Sequence, residues 1–323
     1  MRPRNPGRSS VAALVLLLAA ACGDAELELG PQAKPEALEH NPGAEAAAAV
    51  ERFVDEPDWD GLLALLDRGH ADARELLGPH HLHVEADYDS HPAGLDPKAL
   101  PPARVDEPIN QAFSIHEVVD LLWASRADEG PRLHLDQRTG PDSGRELTII
   151  DERSWTRIDN LGWYEAPLEG ELWQLWLDDA QHAARDIAVL VGPVVDIAAV
   201  EPTSVDGRDV LRVSLRPGEA HPERVAEALV PWRREASFEL RKGELVLDRA
   251  TGLWLEAHFE VLWRHEVPAH AGGTGKRLIE GSALLDAKVE PLADPPSLSP
   301  PPEAAPLPER ERPMVLRDRL LNP

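Results

Sequence analysis

The chain has 323 residues, with 58 Asp+Glu against 33 Lys+Arg and a formal net charge of −25. So acidic a surface repels phosphate backbones and excludes nucleic-acid binding as a role. A hydrophobic share of 42% excludes global disorder, and a single cysteine, Cys22, excludes an intramolecular disulfide and a cysteine-built zinc site.

Residues 1–21 have the three parts of a secretory signal. Arg2, Arg4 and Arg8 form a positive start without an acid, Val11 to Ala21 is unbroken apolar sequence, and small residues lead into Cys22. As a helix that apolar run would reach only about 16 Å against roughly 30 Å of hydrocarbon, too short for a spanning anchor. Leu18-Ala19-Ala20-Ala21-Cys22 resembles the bacterial lipobox, although Ala19 and not Leu stands three residues before the cysteine. The resemblance implies cleavage before Cys22, diacylglycerol on its sulfur, and a membrane as partner through that lipid. No other cofactor is expected. The competing reading is ordinary cleavage after Ala21, which leaves a free thiol. Removing the three arginines takes the net charge from −25 to −28, so the body would stand off anionic headgroups. Gly23 in place of Asp lacks, by resemblance to enterobacterial sorting, an inner-membrane retention signal, and favours the outer membrane of a bacterial envelope.

Residues 22–45 read as a flexible tether with Pro31, Pro35 and Pro42. Ala46 to Leu66 reads as helix with a break at Pro57, and Asp60 is the expected N-cap of the run Leu62 to Leu66. His80 to His91 alternates. Leu82, Val84, Ala86 and Tyr88 face one way, and His81, His83, Glu85, Asp87, Asp89 and His91 the other, as in a half-buried strand. The five prolines of 92–108 mark a loop.

From about 115 to 290 strand signals dominate. They include Leu133 to Thr139, Glu146 to Asp151 and Ser154 to Ile158, followed by Leu161-Gly162-Trp163-Tyr164. Glu171 to Leu190 reads as one amphipathic helix with a stripe of Leu172, Trp173, Trp176, Ala180, Ala183, Ala184, Ile187 and Leu190. Asp206-Gly207 signals a hairpin, and Leu211, Val213 and Leu215 alternate after it. Pro222 to Trp232 reads as a short helical insertion. Phe238 and Leu240, Leu245 to Asp248, Leu253 to Arg264 and Leu278 to Val289 complete the strands. Ten prolines in 291–323 predict a disordered tail. Thus 46–290 is expected as a single body, with 46–110 its helical and strand N-terminal part.

Strands, one amphipathic helix and then long meandering strands describe an α+β chain, mostly antiparallel, with one dry face under the helix. Val205-Asp206-Gly207-Arg208 with Leu211 to Leu215, and Leu245-Val246-Leu247-Asp248-Arg249-Ala250-Thr251-Gly252-Leu253-Trp254, resemble the hairpins of the lipoprotein-carrier superfamily of the cell envelope. That superfamily includes the periplasmic lipoprotein carrier, mycobacterial lipid-transport lipoproteins and the sigma-regulatory envelope sensor. The resemblance implies a curved open sheet, a half-barrel, whose concave face is an apolar cavity lidded by the helix. It implies a non-enzymatic carrier or sensor of a lipid or other hydrophobic ligand. Trp173 and Trp176 would line such a cavity; alternatively they fill the core.

Two other classes stay open. His81 and His83, two apart on one strand face, could share a metal in a hydrolase if another element supplied a third ligand. A scaffold lipoprotein without a small ligand is the third reading. Ala271 to Arg277 lacks the first glycine and the Ser or Thr of a phosphate loop and reads as a hairpin loop. No Gly-x-Ser-x-Gly elbow is present, and no catalytic residue is assigned.

Overall fold

The computed structural model describes residues 42–94, 113–126, 128–140, 143–159, 161–169, 172–225, 236–268 and 275–307. Cys22, the signal and the tether up to 41 lie outside these residues, as do most of the 92–108 loop, 226–235 and 269–274.

Three helices open the described chain: α1 (Pro42–Asp55), α2 (Trp59–Leu66) and α3 (His70–Leu77). The first begins inside the expected tether, and the third had no counterpart in the sequence reading. The break at Pro57 is present. The cap beyond it is Asp58 and not Asp60: Asp58 Oδ1 accepts from Gly61 N at 2.6 Å. Asp58, at φ −129° and ψ 166°, has the extended backbone of an N-cap residue.

Among the described residues twelve strands follow in one open sheet, ordered β12-β6-β5-β4-β3-β2-β1-β11-β10-β9-β8-β7. They are β1 (His80–Pro92), β2 (Phe113–Trp123), β3 (Arg132–Gly140), β4 (Ser143–Ile150), β5 (Arg153–Ile158), β6 (Tyr164–Pro167), β7 (Val195–Val205), β8 (Arg208–Pro217), β9 (Ala236–Asp248), β10 (Trp254–Pro268), β11 (Lys276–Pro291) and β12 (Ala305–Pro306). All pairings are antiparallel except β12 with β6. Local chemistry sets the turns. Asp206 and Gly207, at φ 52° and 81°, make the β7–β8 hairpin. In the turn after β9, Asp248 Oδ1 accepts from Ala250 N at 2.7 Å and Thr251 N at 3.0 Å, while Arg208 pairs with Oδ2.

The expected alternation of β1 holds: Leu82, Val84 and Ala86 are buried, with His81 and His83 between them half-buried. The strand β7 is an addition to the sequence reading. Its composition (VDIAAVEPTSV) lacks a clean period, and at the sheet edge most of its outer residues stay exposed.

The predicted single helix over 171–190 is two, α4 (Leu172–Gln181) and α5 (Ala183–Val191), broken at His182. Trp254 Nε1 donates to the Gln181 carbonyl at 2.9 Å, and this competes with the helical ladder at that point. The covering layer is likewise broader than one helix. Phe53, Trp59, Leu62, Leu65 and Leu66 of α1 and α2 join Trp176, Leu177, Ala184, Ile187, Ala188 and Val191 in the core that spans the dry face. Each fully buried leucine there contributes about 2 kcal/mol. Of Pro222 to Trp232 only residues to 225 are described, with a 3-10 turn at Pro222–Arg224; the rest of the expected helical insertion lies outside the described residues.

The tail differs from expectation in its first half. Leu292 N donates to Pro79 O at 2.8 Å, and the chain then reaches β6, where Ala305 N and Leu307 N donate to Trp163 O and Glu165 O at 2.9 and 2.8 Å. Leu307 is buried. Residues 308–323 lie outside those described.

Candidate functional site

Each central strand carries apolar residues along the dry face, and four of them change character at one end. On β1 the series Leu82, Val84, Ala86 ends in Tyr88. On β2 the series Trp123, Leu121, Val119 runs into Glu117. Leu133 and Leu135 on β3 are followed by Gln137, and Ile149 and Leu147 on β4 by Arg145. Register brings these together: Ala86 stands opposite Glu117, Val119 opposite Gln137, and Gln137 opposite Arg145.

Three of the four side chains, Glu117, Gln137 and Arg145, form a directed network, with Tyr88 beside it. Gln137 Nε2 donates to Glu117 Oε1 at 2.5 Å, and Arg145 Nε donates to Gln137 Oε1. Arg145 Nη2 also donates to Asp179 Oδ2 of α4 at 3.1 Å, and its guanidinium lies 4.7 Å from the Trp176 ring centroid. Burial pushes the Glu117 carboxyl up, against the pull of the Gln137 bond and the Arg145 charge. Burial lowers Arg145, and the Asp179 carboxylate opposes that effect. Burial and the charges of Glu117 and Asp186 raise Tyr88, and burial raises Asp186 of α5 despite Arg185 beside it. This is a small set of polar groups at the end of an apolar face with altered ionisation, the pattern of a binding site.

Beneath the helices the interface holds polar atoms sealed from water. Gln181 is fully buried, and among the described residues neither Nε2 nor Oε1 has a hydrogen-bond partner; the same is true of Trp176 Nε1 and Trp59 Nε1. Buried polar atoms are paired in the great majority of cases, and each orphan costs about 1–3 kcal/mol.

The sequence-predicted residues fall in three places. Trp173 and Trp176 are buried in the core cluster. Trp176 also touches the polar network through Arg145, and Trp173 meets His70 edge-on at 5.9 Å between ring centroids. His70 Nδ1 and backbone N both donate to Asp178 Oδ1, at 2.8 and 3.0 Å, which staples α3 to α4. Burial alone would raise the Asp178 carboxyl; the His70 bonds outweigh it and hold it below its usual range.

His81 and His83 do converge, on β2. Their Nε2 and Nδ1 lie 3.2 and 2.8 Å from the same oxygen, Asp120 Oδ1. Other imidazoles of this wet face have the same kind of partner, His116 with Asp87 at 2.9 Å and His258 with Asp286. Among the described residues no group of three or more His, Cys, Asp or Glu is arranged to hold a metal ion. Cys22 lies outside the described residues, and no described helix is long and apolar enough to cross a membrane.

Glu117, Gln137 and Arg145 escaped the sequence reading. Their signal was phase: each stands in the inward register of its strand, two residues beyond an inward leucine or valine.

No family model and no curated protein matches the chain. Among solved structures it is similar to a DUF1329 family protein from Desulfovibrio piger, at 10% identity over 80% of this chain and 96% of that one, with a TM-score of 0.22. It is also similar to a chain of the MucA/MucB complex of Pseudomonas aeruginosa, at 11% identity over 77% and 99%, again with a TM-score of 0.22. Overlaps this small leave the architecture to be judged from the strands themselves.

Proposed function

We propose that the protein is an envelope lipoprotein, held to a membrane through Cys22, whose body takes up a hydrophobic or amphiphilic molecule between α4–α5 and the sheet. It acts as a carrier or a sensor and not as an enzyme. The observation that carries this reading is the set of orphaned polar atoms on and beside the helical layer, Gln181 and Trp176 above all, in an otherwise apolar interface. A finished core avoids such orphans, whereas an interface that opens for a guest can leave them to be satisfied by it. The helices can also shift without breaking a strand ladder, because the sheet is complete without them. An acyl chain entering there would gain about 0.8 kcal/mol for each CH₂ removed from water.

The test is native mass spectrometry of the chain from Cys22 onward, carrying Cys22→Ser and purified from envelope extracts without detergent. A co-purifying lipid-sized adduct is the expected result. Absence of any adduct, together with no uptake of an added fluorescent fatty probe, would refute ligand binding. Anchoring is checked separately by palmitate labelling, which Cys22→Ser should abolish.

A further inference from the structure

The ligand's polar end has a chemistry that the polar end of the dry face specifies, given the reading of that face as a binding surface. We propose that it is a cationic hydrogen-bond donor, a primary amine, received by Glu117 and Tyr88, with Asp186 adding to the negative charge around them.

Three observations converge. First, the positive charge at this end is already used. Arg145 gives its N–H groups to Gln137 and Asp179 and sits over the Trp176 ring, and Arg185 bonds Asp67 at 2.6 Å and Asp186 at 3.3 Å. A carboxylate or phosphate arriving here would have to displace those partners. Second, the charge balance is negative: Glu117, Asp179, Asp186 and Asp67 stand against Arg145 and Arg185. Third, acceptors remain open. Gln137 occupies Glu117 Oε1, while Oε2 has no partner among the described residues, and neither has the Tyr88 hydroxyl. Tyr88 is one cross-strand step from Glu117, since Ala86 faces Glu117 and Tyr88 faces Ile115. Diagonal neighbours of this kind lie about 7 Å apart, a gap that one ammonium bridges with two N–H···O bonds. Burial strengthens the case, because a carboxylate already stripped of water gains most from a cation. Below the ammonium, Val119 and Leu121 continue the apolar face on which a tail would lie.

The experiment compares dodecylamine, dodecanoate and dodecanol, all below their micelle concentrations, against the chain from Cys22 onward with Cys22→Ser. Isothermal titration at 0.15 M salt screens the general attraction of an acidic protein for amines. Dodecylamine should bind with unit stoichiometry and about tenfold more tightly than dodecanoate, as expected for one charge-assisted hydrogen bond. Glu117→Gln should erase that preference and leave dodecanol binding unchanged; Tyr88→Phe should weaken the amine alone. A thermal melt confirms that each variant folds, and Asp186→Asn serves if Glu117→Gln does not. Dodecanoate binding as tightly as the amine, or a preference that survives Glu117→Gln, overturns the proposal. Dodecanol binding without amine preference sinks this inference alone. Failure of all three probes sinks the binding reading with it.

Discussion

At the scale of single residues, the most informative side chain is Gln181, fully buried with both amide atoms unpaired among the described residues. If the interface were a finished core, a glutamine would be a poor choice there. Gln181→Leu removes the unpaired amide at similar volume and should raise stability by about 1–2 kcal/mol in urea titration, while reducing ligand uptake. A loss of stability would mean that the amide is satisfied in the native protein.

Glu117 makes a second residue-scale prediction, with a definite sign. Its carboxyl is raised by burial. A raised acid favours folding while protonated, so its contribution is fully present below the unfolded pKa of about 4.3 and is lost as pH rises through the folded value. Asp186 acts in the same direction. Glu117→Gln should therefore flatten the loss of stability between roughly pH 4 and the neutral range, read from denaturation midpoints across that span. An unchanged slope would show that Gln137 and Arg145 fully compensate the charge.

At the scale of elements, helices and strands have different roles. The long central strands β1, β10 and β11 pair over 13 residues in each of their two shared ladders and form the frame. The helices are held through side chains: Trp254 to the Gln181 carbonyl, His70 to Asp178, and Trp59 against Gly192, where a Cβ would fall 2.7 Å from the indole. The C-terminal segment works as a strap from β11 to β6. Edge strands expose unpaired backbone groups, and β12 covers part of the β6 edge. Truncation after Pro291 should accelerate amide exchange in β5 and β6 and promote self-association, and leave β1, β10 and β11 as protected as before. Faster exchange in those central strands would assign the strap a global role.

At the scale of the whole molecule, charge dominates. With a net charge of −25, self-repulsion opposes the compact state, and the wet face answers it with His–carboxylate and Lys–carboxylate pairs. Raising salt from about 0.02 to 0.2 M screens the repulsion more than it weakens exposed pairs, so the melting temperature should climb by a few degrees. A fall would mean that the pairs contribute more than the repulsion costs.

The sequence by itself determined the class of this fold. Period-two alternation is local, so the strands around Leu82, Leu133, Leu211, Leu255 and Leu285 were legible, together with the Asp206-Gly207 and Asp248 turns whose chemistry lies within a few residues. Its acidity also needed no third dimension. The tertiary structure alone decided strand order, the split at His182, the partner strand of the proline-rich tail and the polar site. Each of these depends on a group distant in the chain: Trp254 reaching Gln181, Trp163 and Glu165 accepting from the tail, Glu117 meeting Gln137 and then Arg145 across three strands. An inward polar group violates the pattern of its own strand, and only the register that aligns three such violations turns them from local faults into one site.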